Sequence, residues 1–247
     1  MKKVIVIPAR LDSSRLPKKV LLDLKGKTLI QRVYEQCLKV NNIDGVYIAT
    51  DSSEIEGVCR SFTNHIILTK STHQSGTDRI GEAVAGIDCD VVVNVQGDEP
   101  FIDPNLIEEL VHSFDDDQVS MASAMSKIEN IKDLQDPNVV KVVVDTQNNA
   151  IYFSRAPIPF PRDHQEIIYS NEELKKHNFF RHIGIYGYQK DFLAKYIKME
   201  QTNLEKLEKL EQLRVIENGF KIKMIEAASS LIGIDTQEDY EEALKKY

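Results

Sequence analysis

Short apolar runs alternate with amphipathic segments through the N-terminal part of this 247-residue chain. The runs are rich in valine and isoleucine and end at turn residues, which is typical of strands buried on both faces of a sheet. They are Val4–Ile7, Val46–Thr50, His65–Thr69 and Val91–Val95. The segments between them, such as Thr28–Val40, carry apolar residues at helical spacing. This alternation predicts an α/β fold with a doubly wound, mostly parallel sheet.

Composition limits the class of protein. With 42% hydrophobic and 28% charged residues, the chain has the balance of a soluble globule, and its length suits a single domain with a small appendage. The net charge of −8 argues against nucleic acid as the main partner. No run approaches the roughly 20 apolar residues of a membrane span, and none resembles a signal peptide. Cys37, Cys59 and Cys89 lack Cys-x-x-Cys spacing, which favours buried thiols in a reducing cytoplasm.

A basic loop follows the first strand. Ala9–Lys19 holds four cations and one carboxylate in a chain that is acidic overall. Arginine forks and lysine charges after a first strand suit a polyphosphate, although a solvated basic loop is the alternative. Neither the Walker A spacing nor a Gly-x-Gly-x-x-Gly fingerprint occurs here.

Carboxylates lie at two predicted boundaries. Asp98 and Glu99 follow the strand Val91–Val95, at the edge of an open sheet where ligands bind. Asp235 precedes the last predicted helix, for which Thr236 is the expected N-cap. Paired carboxylates at such points can hold Mg²⁺, but they can also be a capped strand end in solvent.

The polar segment Lys70–Arg79 leads into a predicted helix. Its serine, glycine and amide groups suit recognition of a base edge or a ribose. They are equally explained as a helix N-cap, and the residues alone slightly favour the cap.

The second half of the chain changes pattern. A hairpin is predicted from Val139–Val144 and Ala150–Ser154, followed by a stiff proline-rich segment to Pro161. Residues 162–178 are expected to form a mobile polar loop. Two further strands are predicted at Arg181–Tyr188 and Lys221–Ile225. Between them, a helix is predicted over 203–218, with Thr202 and Glu205 as its capping box and Gly219 as its C-cap. The leucines of this helix, at 204, 207, 210 and 213, are expected to face the core.

Taken together, these motifs resemble the 3-deoxy-manno-octulosonate (Kdo) cytidylyltransferases over nearly the whole chain. The blocks that carry the resemblance are Ile7–Arg10, Ser14–Pro17 with Lys19, His73–Thr77, Asn94–Pro100, Tyr152–Arg155, Arg181–His182, Gly184–Gly187, Leu210–Arg214 and Asp235–Thr236. The phosphate loop departs from the family pattern, because Lys18 and Val20 stand where the family usually has glycine and proline.

The resemblance implies a nucleotidyltransferase (Rossmann-like) sheet as a single domain, 1–247, with residues of about 135–190 as a hairpin and dimerisation extension. It implies a cytoplasmic homodimer that transfers CMP from CTP to Kdo with Mg²⁺ as cofactor, for lipopolysaccharide synthesis. The implied catalytic residues are Asp98, Asp235, Arg15 and Lys19, with Asp98 and Asp235 as metal ligands. The implied nucleotide contacts are Ala9, Arg10, Ser75 and Gly76, and the implied sugar contacts are Gln96, Arg155, His182, Tyr186, Glu211 and Gln212.

Two alternatives remain open at this stage. The sugar could be another acidic keto-sugar, such as 8-amino-Kdo or a sialic or pseudaminic acid. The chain could instead be a nucleotide-binding module without turnover, although a binding module has no need of both Asp98 and Asp235. Without the family pattern, Glu211 could be a helix-surface charge and His182 a satisfied strand residue.

Overall fold

The apolar runs of the N-terminal part are parallel strands in the computed structural model, which describes residues 1–11, 16–73, 75–228 and 233–247. The strands are β1 (Lys3–Ala9), β2 (Gly45–Thr50), β3 (Ile66–Leu68), β4 (Val91–Asn94), β5 (Met121–Lys127), β6 (Lys141–Val144), β7 (Ala150–Ser154), β8 (Phe180–Gln189) and β9 (Lys223–Glu226). The helices are α1 (Leu29–Cys37), α2 (Ser53–Cys59), α3 (Gly76–Ala85), α4 (Pro104–His112), α5 (Ile131–Gln135), α6 (Asn171–Leu174), α7 (Lys190–Tyr196), α8 (Asn203–Glu208), α9 (Leu213–Glu217) and α10 (Gln237–Lys246). Short 3₁₀ helices span Lys19–Leu21, Ser113–Asp115 and Gln165–Ile168.

The described residues fall into two units. Unit 1 contains residues 1–112, 185–197 and 233–247, and unit 2 contains residues 113–184 and 198–228. None of the helices formed by the described residues combines the length and the apolar character that a membrane span requires.

Unit 1 is built on strands in the order β3-β2-β1-β4, followed by the second half of β8. The first four are parallel to one another, and β8 runs antiparallel to β4. All seven residues of β1 are buried, as expected for a strand with neighbours on both sides and helices on its faces. The prediction of a mostly parallel α/β sheet is confirmed.

The first strand is longer than the predicted Val4–Ile7, since β1 extends from Lys3 to Ala9 and includes Pro8. Pairing of β1 with β4 stops at Val6, whereas pairing with β2 continues through Pro8 and Ala9. Past Val6 the strand has a partner on one side only, and a residue without an N–H is tolerated there.

The helices α1 and α2 of unit 1 can be compared directly with the sequence pattern. α1 buries Leu29, Ile30, Val33, Tyr34 and Cys37, which confirms the amphipathic pattern. In α2 the N-cap is Ser52, whose hydroxyl accepts a hydrogen bond from the Ile55 N–H at 3.3 Å. Ser53 and Glu56 have the spacing of a capping box, which predicts an N-cap at Ser53, but the observed N-cap is one residue earlier.

In unit 2, β5 lies between the first half of β8 and β9, and it is parallel to β9. β6 and β7 form the predicted antiparallel hairpin, and β6 also pairs antiparallel with β8. In the hairpin turn, one carboxylate oxygen of Asp145 accepts the N–H groups of Gln147 and Asn149.

The prediction of a mobile loop over 162–178 is wrong. This stretch contains the 3₁₀ helix Gln165–Ile168 and α6, and its Ile167 and Leu174 are buried. They share a small apolar cluster with Ile128, Leu134 and Phe179. A few apolar side chains in a polar stretch thus suffice to fold it.

The single helix predicted over 203–218 is two helices. Lys209 has the left-handed angles φ 55 and ψ 47, which end α8, and α9 begins at Leu213. The break also disrupts the predicted leucine stripe, because Leu210 and Leu213 are buried while Leu207 is 71% exposed. The predicted end at Gly219 is confirmed, since its φ is 78 and its N–H donates to the Ile216 carbonyl at 2.9 Å.

Candidate active site

Three charged side chains meet in unit 1. The Lys19 ammonium nitrogen lies 2.5 Å from a carboxylate oxygen of Asp98 and 2.8 Å from one of Asp235. The Lys19 side chain is 12% exposed and that of Asp235 is 50% exposed, so the cluster opens to solvent on the Asp235 side. These are three of the four catalytic residues that the sequence implied, and the fourth, Arg15, lies outside the described residues.

Gly97 allows the loop that carries Asp98 to approach β1 closely. A Cβ atom at Gly97 would lie 3.2 Å from the carbonyl oxygen of Pro8 and 3.5 Å from a methyl group of Val20. The contact with a backbone atom leaves little room for any side chain. The absence of that side chain brings the Asp98 loop against the turn that carries Lys19.

Asp235, the third charged residue, is held in place by the N-terminal cap of α10. Thr236 is the N-cap, as predicted: its hydroxyl accepts from the Asp239 N–H at 3.2 Å, and Asp239 accepts in return from the N–H groups of Thr236 and Asp235. The Ile234 N–H donates to the Asp98 carbonyl at 3.0 Å, which joins the two acidic segments directly. Beneath them, Leu16, Leu24 and Leu29 pack with Ile234 and Ala243, so the basic turn and α10 share one apolar cluster.

The electrostatics of this cluster favour charged Lys19 and neutral Glu99. Burial alone would lower the pKa of Lys19, but Asp98 and Asp235 raise it above its usual value. Burial and the same two carboxylates raise the pKa of Glu99 to about 8. Its Oε2 atom is buried and has no hydrogen-bond partner within the described part of the chain.

The donor set fits a hard divalent cation. One nitrogen atom touches carboxylate oxygens of both Asp98 and Asp235, so a single cation can be bound by both. Mg²⁺ is usually held by one or two carboxylates together with substrate phosphates and waters. Within residues 1–11, 16–73, 75–228 and 233–247, no group of three or more His, Cys, Asp or Glu side chains is placed to hold a metal ion.

Lys18, at the position where the related pattern has glycine, has φ 52 and ψ 32. This is the left-handed region that glycine adopts most easily, and it costs another residue about 1 kcal/mol. The Lys18 ammonium donates to the Glu54 carboxylate at 2.6 Å, whereas the Lys19 ammonium donates to Asp98 and Asp235. The turn therefore has the left-handed backbone conformation that glycine favours, although its residue here is a lysine.

The residues implied as nucleotide contacts lie around the end of β1. Ala9 is its last, buried residue, and Arg10 follows it with an exposed side chain. Gly76 opens α3 beside β1, since a Cβ atom there would lie 3.5 Å from the Pro8 ring. The Ser75 hydroxyl accepts from the Asp78 N–H at 3.1 Å, so the N-cap interpretation is confirmed, and recognition of cytidine here stays a prediction.

α3 holds the loop that precedes it. The Glu82 carboxylate accepts from the Lys70 N–H at 2.9 Å and contacts the His73 ring. On the buried side, Arg79 donates to the Thr69 hydroxyl at 2.5 Å and to Asp51 at 2.9 Å. Gln74, within the motif that carries the resemblance, lies outside the described residues.

Of the residues implied as sugar contacts, Gln96 and Tyr186 lie in unit 1, where Gln96 follows β4 and Tyr186 is on β8. Gln96 donates to the Asn94 side chain at 3.2 Å, and Asn94 is paired with Tyr186 in the β4–β8 register. The Tyr186 ring stacks on Tyr188 with a centroid distance of 6.1 Å. Gln96 thus precedes Asp98 by two residues, and Tyr186 lies opposite Asn94 on the neighbouring strand.

His182 lies on β8 in unit 2, and its Nε2 atom is 2.8 Å from the Ser123 hydroxyl. Its ring meets Phe153 edge to face at 5.0 Å. Burial lowers the pKa of His182 to about 3, so the imidazole is neutral at physiological pH. Ser123 is on β5, a strand that we did not predict, because MASAMSK lacks β-branched residues.

Arg155 is anchored to the main chain in unit 2. Its Nε donates to the Glu208 carbonyl at 2.8 Å and its Nη1 to the Pro137 carbonyl at 2.9 Å. The Glu208 carboxylate in turn accepts from the Arg155 N–H and the Ser154 hydroxyl. Glu208 could not be singled out from the sequence, because it has the appearance of an ordinary charge in a lysine- and glutamate-rich helix.

Glu211 and Gln212 lie between α8 and α9. Glu211 is exposed, and its carbonyl accepts from the Arg214 N–H at 3.1 Å. Gln212 is 3% exposed and is the N-cap residue of α9. Glu211 is thus exposed at the turn between the two helices, and Gln212 is buried beside it.

Known proteins resemble this chain over nearly its whole length. The model of the cytidylyltransferase family matches residues 4–224. The chain is similar to the 3-deoxy-manno-octulosonate cytidylyltransferase of Francisella tularensis subsp. holarctica, at 48% identity over 98% of this chain and 97% of that protein. It is also similar to proteins of that name from Syntrophotalea carbinolica, at 46% identity over 95% and 94%, and Geobacter metallireducens, at 41% identity over 100% and 98%.

Among solved structures, CMP:2-keto-3-deoxy-manno-octonic acid synthetase complexed with CTP superimposes with a TM-score of 0.91 at 39% identity, over 100% of this chain and 98% of that one. The 4-diphosphocytidyl-2C-methyl-D-erythritol synthase of Anaerococcus prevotii has the same fold, with a TM-score of 0.62 at 17% identity over 99% and 96%. By family model, relatives and structure, the chain belongs to the 3-deoxy-manno-octulosonate cytidylyltransferase family.

Proposed function

We propose that this protein transfers CMP from CTP to the anomeric hydroxyl of Kdo, which yields CMP-Kdo and pyrophosphate. The observation that carries the proposal is the contact of Lys19 with both Asp98 and Asp235. It occurs in a chain that is similar over 98% of its length to an enzyme of that name.

In this reaction the sugar oxygen forms a bond to the α-phosphorus of CTP, and the bond from that phosphorus to the pyrophosphate oxygen breaks. Phosphoryl transfer depends on positioning and charge neutralisation more than on covalent help. Lys19, with Arg15 from the same loop, supplies positive charge to the departing pyrophosphate. Ala9, Arg10, Ser75 and Gly76 bind the cytidine.

Asp98 and Asp235 hold Mg²⁺. When bound, the metal polarises the α-phosphate and lowers the pKa of the attacking hydroxyl. Asp98 is held by the close approach of Gly97 to β1, and Asp235 by the cap of α10. Both carboxylates are thus fixed before any ligand arrives, which favours binding of a small cation.

Gln96, Arg155, His182, Tyr186, Glu211 and Gln212 bind the sugar. Since His182 is neutral, it contributes hydrogen bonds and no positive charge to the sugar carboxylate. Glu211 accepts hydrogen bonds from sugar hydroxyls, an interaction that strongly rejects analogues lacking them.

The active protein is a homodimer. Among the described strands, β7 pairs with β6 alone, and an edge strand of this kind can pair with a second chain. Ile151 on β7 is 56% exposed, and Phe160 in the following proline-rich segment is 67% exposed. Burial of such side chains between two copies favours association.

The experiment that tests the activity is release of pyrophosphate from CTP with a panel of acidic sugars: Kdo, 8-amino-Kdo, a sialic acid and pseudaminic acid. We expect rapid release with Kdo in the presence of Mg²⁺ and none without a sugar. Faster turnover of another sugar would reassign the substrate. Binding of CTP without release with any sugar would support a nucleotide-binding module instead.

A further inference from the structure

The polar groups of Tyr152–Arg155, one of the motifs that carry the family resemblance, converge on one carboxylate. Glu208 accepts from the Ser154 hydroxyl at 2.7 Å, from the Arg155 N–H at 3.0 Å and from the Tyr152 hydroxyl at 3.4 Å. Its carbonyl accepts from the Arg155 guanidinium at 2.8 Å. The motif therefore binds a residue of its own chain through all three polar members.

These hydrogen bonds keep Glu208 ionised. Burial would raise its pKa, but the donors from Arg155, Ser154 and Tyr152 lower it below the usual value. Hydrogen bonds to a charged acceptor are roughly twice as strong as those between neutral groups. Glu208 is therefore held at the end of β7 by charge-assisted hydrogen bonds.

Glu208 is also the last residue of α8. The chain turns at Lys209, where φ is 55, and reaches Glu211 and Gln212 three and four residues after Glu208. On the far side of the turn, Arg214 forms a fork with Glu205, with N···O distances of 2.8 and 2.5 Å. The turn is thus held at one end by Glu208 and at the other by Arg214.

We propose that Glu208 is a positioning residue for the sugar, acting through Glu211 by fixing the turn between α8 and α9. The proposal rests on the proposed function, in which Glu211 binds the sugar. Glu208 itself is engaged by β7, so it orders the turn without touching the substrate. Besides the direct contact proposed for Arg155, the Tyr152–Arg155 motif then serves sugar binding indirectly, because its hydrogen bonds hold Glu208.

The test compares Glu208→Ala, Glu208→Gln, Glu211→Ala and the double variant Glu208→Ala/Glu211→Ala in the full chain, with CTP and Kdo varied separately. Glu208→Ala should raise the KM for Kdo about tenfold, the effect of losing roughly one charged hydrogen bond, and leave the KM for CTP within about twofold. Glu208→Gln can still accept from the Arg155 N–H and donate to Ser154, so it should recover most of the loss. The double variant should be no worse than Glu211→Ala, because both changes act on one interaction.

Glu217→Ala is the matched control. Glu217 lies on α9, is exposed and accepts from the Leu204 N–H at 3.0 Å. The Glu217→Ala substitution removes a carboxylate from the same pair of helices, and the KM values for CTP and for Kdo should both stay unchanged. Thermal melting of each variant verifies that it is folded.

Three outcomes would overturn the proposal: equal losses for CTP and Kdo in Glu208→Ala, additive losses in the double variant, or the same loss in Glu217→Ala. They differ from a failure of the proposed function. If Glu211→Ala spared Kdo, the assignment of Glu211 to the sugar would be wrong before Glu208 is considered, and if the unmodified protein did not turn over Kdo, the activity itself would be wrong.

Discussion

Lys19 and Asp235 are 216 residues apart in the chain, yet the ammonium nitrogen of one lies 2.8 Å from a carboxylate oxygen of the other. Asp98 completes the group, 79 residues from Lys19. Lys19 begins the 3₁₀ helix Lys19–Leu21, Asp98 follows β4 and Asp235 precedes α10, so each residue lies where the backbone turns. Only the fold brings these three residues together, because no short stretch of the sequence contains them all.

The two adjacent lysines of the turn provide a direct test. Lys19→Met should weaken CTP binding or turnover by about tenfold or more and affect CMP much less, since it removes a charge that serves the terminal phosphates. Lys18→Gly is the matched change, because Lys18 pairs with Glu54 and has a left-handed backbone. It should leave turnover intact and raise the melting temperature slightly. Equal losses for CTP and CMP in Lys19→Met would show that this lysine binds another part of the nucleotide.

Removal of either acidic charge should stop the reaction. Asp98→Asn and Asp235→Asn keep the shape of the side chain and remove a charge that Mg²⁺ needs, so turnover should fall by orders of magnitude while the protein stays folded. Pyrophosphate release measured over a range of Mg²⁺ concentrations checks this. Asp163→Asn, which removes a carboxylate that is 84% exposed, is the control. Near-normal turnover in either site variant would refute the metal assignment.

Stability should depend on pH through His182. Its pKa is 6.5 in the unfolded chain and about 3 in the folded protein, because the ring is buried. Between these values the unfolded state binds a proton that the folded state does not, so the free energy of unfolding falls as the pH drops below 6.5. Each pH unit contributes up to about 1.4 kcal/mol.

The His182→Gln variant lacks this contribution. Urea unfolding at pH 8 and pH 5 should therefore show that the stability advantage of the unmodified protein over the variant shrinks by about 2 kcal/mol at the lower pH. If the two proteins lost stability in parallel, His182 would not be the neutral, buried group that the structure indicates.

The parts of the fold that the sequence predicted are those in which local preference and burial agree. β1 and β4 are runs of valine and isoleucine, and β2 contains valine, tyrosine, isoleucine and threonine, which all favour strands. β5 was missed because its alanine, serine and methionine residues have no preference for strands, and its position between two other strands decides its conformation.

The break between α8 and α9 could not be predicted for a related reason. The residues from Asn203 to Asn218 have good helical propensity, and Lys209 is an unusual residue at a left-handed position. Contacts of Glu208 with β7 and of Glu205 with Arg214 impose the turn there. The family pattern implied a role for Glu211 in sugar binding, but it did not indicate the contacts that fix the turn beside it.

Assembly can be tested through β7. Light scattering at micromolar concentration should give the mass of two chains of 28.2 kDa each. Ile151→Lys should shift the protein toward a monomer, because a charge cannot be buried at the interface without a large cost. Leu68→Lys, at a residue that is 58% exposed in unit 1, should leave the mass unchanged. A monomeric mass for the unmodified protein would refute the dimer.

The buried ion pair of Glu205 and Arg214 leads to the last prediction. Their side chains are 4% and 11% exposed, so Arg214→Met leaves a buried carboxylate without its fork of donors and should cost about 3–5 kcal/mol of unfolding free energy. Replacing both residues, as in Glu205→Leu/Arg214→Leu, should cost much less, because no charge is left without its partner. Lys176→Met breaks the exposed pair of Lys176 and Glu173 and should change the unfolding free energy far less than Arg214→Met does. Urea unfolding of the three variants measures these differences, and a double variant less stable than Arg214→Met would show that the two side chains stabilise the turn by packing and not by their charges.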